Sequence, residues 1–139
     1  MADRPNKYIM LPCTSESFYR AWIEFLTPYH RLARRERDVF ATIMAQYFRL
    51  KKESNDPDII RTLLWSSKSR MQMRTTLGMS QPHFQMVLAK LRERGALIDE
   101  DINPRYMPNI NDKYKSLQLC ITFDWSTPED KQNVNEETK

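Results

Sequence analysis

Glycine, cysteine and histidine are nearly absent, with two of each in 139 residues. Gly78 and Gly95 cannot build the Gly-rich loops that cradle nucleotide phosphates, which excludes the commonest nucleotide enzymes. Cys13 and Cys120 are too few for a disulfide scaffold, and neither belongs to a CxxC pair or a Cys/His cluster of zinc-ligand spacing. Two buried, reduced thiols are the expectation. His30 and His83 lie far apart, and no Ser or Cys elbow accompanies either. With no nucleophile-base pair, metal cluster or carboxylate dyad, the chain reads as a non-enzyme without metal or cofactor. No apolar run approaches the roughly 18 residues of a membrane span, and "MADRPNKYIML" runs into polar "CTSES" without a signal-peptide core. No membrane partner is expected, and the expected location is the cytoplasm.

Positive charge is present and unevenly placed. The formal net charge is +4, but the stretch from Ser126 to Lys139 holds four acids against two lysines, so residues 1–125 carry +6. Residues 61–94 contain Arg61, Lys68, Arg70, Arg74, Lys90, Arg92 and Arg94 with Glu93 as their one acid. Such a concentration is what neutralising phosphates requires.

Hydrophobic spacing organises the rest as one domain. "KYIML" predicts a short strand stopped by Pro12, and Thr14, Ser15 and Ser17 offer caps for a helix ending at Thr27-Pro28. In that helix Phe18, Trp22, Phe25 and Leu26 share a stripe, while Tyr19, Ala21 and Ile23 spread apolar surface around the circumference. Two readings stay open: the helix is deep in its own fold, or it forms a dimer interface through Phe18, Trp22 and Phe25. A scaffold helix follows from Leu32, with Val39, Phe40, Ile43, Met44, Tyr47 and Leu50 on one stripe. "DIIRTLLWSS" reads as a helical turn that leads into a short extended piece near Leu64-Trp65. Ser67 or Ser69 is expected to cap the next helix, which Gly78 closes. Ser80 caps a long helix with Pro82 in its first turn, Phe84, Val87, Leu88 and Leu91 on one stripe, and Gly95 as its stop. "ALI" and the alternating "SLQLCITFDW" predict two strands bracketing residues 99–116, a hairpin with a long tip. The last fourteen residues are polar and expected to be disordered.

This order, helices, a three-residue corner, a long amphipathic helix, Gly and a β-hairpin, predicts a mainly α fold with a small β-hairpin wing (α+β). Leu77, Gly78, Met79, Ser80, Phe84, Leu88, Leu91 and Gly95 in "LGMSQPHFQMVLAKLRERGALI" resemble the MarR-like winged helix-turn-helix pattern. More loosely, "LLWSSKSRMQMRTTLGMS" and "INPRYMP" resemble small winged-helix proteins of large tailed phages. The resemblance implies a winged helix-turn-helix over 32–125, an added strand and helix over 1–31 as dimerisation element, and an acidic-polar tail over 126–139. Two places depart from the pattern. Arg74 stands four before the corner Gly, where the family commonly has a small residue, and the wing opens with Asp99, Glu100 and Asp101.

Double-stranded DNA is the partner this implies, read as a homodimer by a transcriptional regulator with helix 80–94 in the major groove. Any small-molecule effector is unknown. At about 100° per residue the face opposite the apolar stripe presents Pro82, Gln85, Met86 and Ala89, with Gln81 and His83 beside them, as base contacts. Lys68, Arg70, Arg74, Lys90, Arg92, Arg105 and Lys113 are the candidate phosphate contacts. A replication-initiation protein of the same fold, or a phage structural or adaptor protein using the same surface, remain alternatives.

Overall fold

The structure, a computed structural model, describes residues 10–110, 117 and 124–127. Among these residues the chain is mainly helical with one small antiparallel sheet. The elements run α1 (Phe18–Phe25), α2 (Thr27–His30), α3 (Arg34–Lys51), α4 (Pro57–Leu64), α5 (Ser67–Leu77), α6 (Gln81–Glu93), β1 (Leu97–Ile98) and β2 (Asp101–Ile102), followed by a 3-10 turn at Pro104–Tyr106. They belong to a compact unit that ends at Pro108; a second unit begins at Asn109. In the second unit only residues 109–110, 117 and 124–127 are described.

α3 is the common support, against which α1, α4, α5 and α6 all pack. The predicted stripe supplies Val39, Phe40, Ile43 and Met44 to the core, while Tyr47 and Leu50 are only half-buried. Two polar residues outside that stripe are buried instead. Glu36 accepts from the Ala33 N–H at 2.9 Å, satisfying an orphan donor at the start of α3. Gln46 donates to Ser69 Oγ and Gln72 Oε1, both at 3.1 Å, and accepts from Arg49, so a polar bridge joins α3 to α5.

At the N-terminal end Thr14 and Ser17 exchange hydrogen bonds, each hydroxyl accepting from the other's backbone N–H, and start α1. The expected single helix is in fact two, because Pro28 occupies the first turn of α2 rather than ending α1. Of the expected strand, residues 7–9 lie outside the described residues, and Met10 and Leu11 have no regular structure. Ile23 is fully buried, and Tyr19 stacks on Phe48 of α3, so α1 is part of the chain's own core. His30 fixes the turn that follows: its Nε2 is 2.7 Å from the Ile23 carbonyl, and its Nδ1 accepts from the Leu32 N–H at 3.0 Å. Cys13, expected buried, is exposed because it precedes the first packed helix; Cys120 lies outside the described residues.

Both glycines terminate helices by the same means. Gly78 has φ +61, its N–H bonds the Thr75 carbonyl, and the Met79 N–H bonds the Arg74 carbonyl. Gly95 has φ +80, with Gly95 N–H to Arg92 O and Ala96 N–H to Leu91 O. These are two Schellman closures whose following residues, Met79 and Ala96, are buried against the core. Three expectations about local structure fail. Ser66, not Ser67 or Ser69, caps α5, its Oγ accepting from the Ser69 N–H at 3.2 Å. Leu64 ends α4 and Trp65 turns at φ −99, ψ 10, so no extended piece forms there. The hairpin has a two-residue turn, not a long tip: Leu97 pairs with Ile102 and Ile98 with Asp101, with Asp99 at φ +56. Residues 118–123 of the strand expected as partner lie outside the described residues, as do 128–139 of the expected tail.

α1 is held to α3 by charge as well as packing. Glu24 Oε1 accepts from Arg20 at 2.9 Å and Arg37 at 3.1 Å, and Arg20 also pairs with Asp38. Burial, the largest single influence, works to raise the Glu24 pKa; the hydrogen bonds and charges of Arg37 and Arg20 together outweigh it and hold the carboxyl below its ordinary value of 4.5. A carboxyl lowered in the folded state contributes stability above its unfolded value, and that contribution is lost as pH falls through the folded value. Thermal melts should therefore show Glu24→Gln less stable than the parent at pH 6, with the gap closing below about pH 4. A gap constant with pH would remove the ion pairs as its cause. For Gly78, an added Cβ would meet nothing within 4 Å, so Gly78→Ala is penalised by the backbone alone. It should cost about 1 kcal/mol and lower Tm by roughly 4–8 °C, with Gly78→Asn milder; equal costs for Ala and Asn would contradict the left-handed closure as the cause.

Candidate nucleic-acid interface

α6 is sharply two-sided. Ser80 Oγ accepts from the His83 N–H at 3.3 Å, Pro82 lies in the first turn, and Phe84, Val87, Leu88 and Leu91 are buried as the periodicity predicts. On the other side Gln81, Pro82, Met86, Ala89 and Lys90 are exposed, with His83 and Gln85 half-buried at its margins. Met86 keeps 54% of its surface in solvent, an unusual position for so apolar a side chain.

The corner before α6 is held from α3. Arg35 Nη2 donates to the Leu77 carbonyl at 2.9 Å, satisfying a free acceptor at the end of α5. Arg74 does not prevent the two helices from forming the corner; it is half-buried, and its side lines an open depression with Met71, Thr75, Gly78 and Met79. α5 and α6 pack more on α3 than on each other, so the missing small residue is accommodated by the support helix.

Charged groups divide by what they touch. Arg20, Arg35, Arg37, Arg61 and Arg94 pair with carboxylates. Arg94 Nε is 3.1 Å from the buried Glu36 carboxylate, tying the end of α6 to the start of α3. Lys68, Arg70, Arg74 and Lys90, all predicted to meet phosphate, have no carboxylate partner among the described residues. Arg70 is not wholly free for that task, since its guanidinium lies 5.7 Å over the Trp65 ring and its Nε is buried without a hydrogen bond. Arg92 Nε donates to the Asp99 carbonyl at 3.1 Å. Arg105 lies in the 3-10 turn, 6.0 Å over the Tyr106 ring, and Lys113 lies outside the described residues.

Of the three residues expected at a dimer interface, Trp22 is half-buried and its indole N–H donates to the Tyr106 carbonyl at 2.7 Å within the chain. Phe18 stacks on Trp22 and is half-buried. Phe25 remains 40% exposed, with Tyr29, four residues on, 64% exposed.

The hairpin is fastened at three points. The Trp65 indole N–H donates to the Glu100 carbonyl at 2.7 Å, Arg92 holds the Asp99 carbonyl, and Arg61 binds both oxygens of Asp101 at 3.0 and 3.3 Å. Asp101, then Asp58, raise the Arg61 pKa further. Trp65 and Arg61 were read from sequence as a hydrophobic segment and a bare charge; nothing local signals partners some 35 to 40 residues away. Comparison with known proteins finds no matching family model, no matching curated protein and no matching solved structure. Among the described residues no helix is long and apolar enough to cross a membrane.

Trp65→Phe keeps the buried ring and deletes the donor to Glu100. It should cost about 1 kcal/mol and speed amide exchange in residues 98–102 while leaving α6 protected. Exchange that accelerates equally in α6 would show that the indole N–H acts on the whole domain rather than on the hairpin.

Proposed function

We propose that this chain is a winged helix-turn-helix protein that binds double-stranded DNA sequence-specifically, as a transcriptional regulator of MarR-like type, with α6 in the major groove. The observation that carries the reading is the division of charge. Arg20, Arg35, Arg37, Arg61 and Arg94 are engaged by acids within the fold, whereas Lys68, Arg70, Arg74 and Lys90, on the two helices of the corner, have no carboxylate partner among the described residues. On the same helix as Lys90, Gln85 offers the paired donor and acceptor that match adenine, and Met86 and Ala89 offer apolar contact to a thymine methyl. The surface around Trp22 and the exposed Phe25 and Tyr29 is the one through which two copies would associate, presenting two α6 helices about one DNA turn apart. Origin-DNA binding in replication initiation would use the same surface.

A second reading, a phage structural or adaptor protein, is favoured by the exposed Met71 and Met86, since solvent-facing methionines suit adaptable protein contacts.

With four cations on phosphates, log K should fall with log salt with a slope of about −3 to −4. Fluorescence anisotropy on duplex DNA between 50 and 200 mM salt measures it. Lys90→Glu with Arg74→Glu should abolish binding, while Arg34→Glu, an exposed site on α3, should weaken it only slightly. Equal losses in both variants, or no duplex binding at 50 mM salt, would reject the DNA reading in favour of the adaptor.

A further inference from the structure

The two ends of α6 differ in charge. Its capped N-terminal turns carry no acid, while Lys90 and Arg92 both lie in the last turn, on opposite margins of the exposed face. At its C-terminal end Glu93 is exposed, Arg94 is paired with Glu36, and Arg92 touches the hairpin turn. Arg92 is seven residues beyond Gln85, two helical turns, so the two share one face about 10 Å apart along the axis. Any duplex lying along that face therefore meets Arg92 and, directly beside it, the exposed turn Asp99-Glu100. That turn is held at the Glu100 carbonyl by Trp65 and at the Asp99 carbonyl by Arg92, and Arg61 holds the adjoining Asp101 of β2. Its strands are two residues each, so Asp99 and Glu100 are themselves the tip of the hairpin.

We infer that this fastened turn is an electrostatic fence: the carboxylates of Asp99 and Glu100 hold phosphates away from the Arg92 side of the last turn of α6. Resting on the DNA-binding reading above, the inference specifies how that site is used. DNA is gripped by the exposed face of α6 up to Lys90, Arg92 on the other margin is withheld from phosphate, and Asp99 and Glu100 set the edge of the footprint.

The test is duplex binding by Asp99→Asn with Glu100→Gln. Asn tolerates the left-handed conformation of residue 99, and both changes keep the backbone carbonyls that Arg92 and Trp65 hold. Glu100→Gln alone, with no backbone demand, serves if the double variant folds poorly. Affinity at 50 mM salt should rise roughly threefold to tenfold, and the salt slope should steepen by about 0.9 as Arg92 gains a phosphate. Adding Arg92→Ala should cancel the gain, though the same change in the parent alters binding less than twofold. Glu53→Gln, an exposed acid beyond α3, should leave affinity unchanged. Parent binding with no gain in the variants, a gain insensitive to Arg92, or an equal gain from Glu53→Gln overturns the fence and leaves the DNA reading standing. Failure of parent and variants alike to bind duplex overturns both.

Discussion

The first turn of α3 fixes the geometry on which the corner depends. Two adjacent residues do it: Arg35 takes the Leu77 carbonyl at the end of α5, and Glu36 takes Arg94 at the end of α6. The C-terminal end of a helix leaves four carbonyls without an intrahelical partner, and such ends are where packing alone leaves orientation loose. A side chain from a third helix at each end removes that freedom. Glu36 is almost wholly buried while Arg94 is about half exposed, so the pair adds little net stability by Coulomb attraction. Its effect is on specificity, because a buried carboxylate without its arginine would be left with one hydrogen bond from Ala33. α5 and α6 can thus hold their corner while packing mainly on α3.

From this follows the split in the basic residues. An arginine that orients an element must face an acid or a carbonyl inside the fold, and is then unavailable to a ligand. Arg20, Arg35, Arg37, Arg61 and Arg94 are of that kind. A count of charge over residues 61–94 treats Arg61 and Arg94 as equivalent to Lys90, and the folded arrangement separates them. Arg70 is intermediate: stacking on Trp65 steadies its guanidinium, and a steadied cation loses less side-chain entropy when it meets an anion.

What was legible in the sequence were the features whose cause is local. A glycine that must take positive φ, a serine before a proline-containing first turn and a four-residue apolar stripe each act within one or two turns, and Gly78, Gly95, Ser80 and the Phe84-to-Leu91 stripe stand as read. Where several residues compete locally, composition does not choose among them: "SSKS" offers three caps, and the one used, Ser66, follows from where Trp65 turns. The short hairpin was not legible because a pairing of two residues a side leaves no alternating pattern for β propensity to detect. It is held by the Trp65 indole and Arg61 from outside the strand sequence. Buried Glu36 and Gln46 were invisible for the same reason, their partners being supplied by other helices.

A single exposed helix face also bounds what the proposed site can recognise. One good bidentate base contact discriminates by about 1–3 kcal/mol, and the exposed face of α6 has room for Gln85 and few others. A fastened hairpin with an acidic turn supplies no second reading element, unlike a basic wing lying in the minor groove. Sequence-specific binding by this surface therefore requires a second α6 from another copy, and the two proposals are physically one. The exposed Phe25 and Tyr29 lie at the far end of α1, which packs on α3, and in α2, which follows α1 directly, so an interface there would be tied to α6 through α1 and α3. Rigid spacing, rather than any added base contact, is what would convert two weak readers into one specific one.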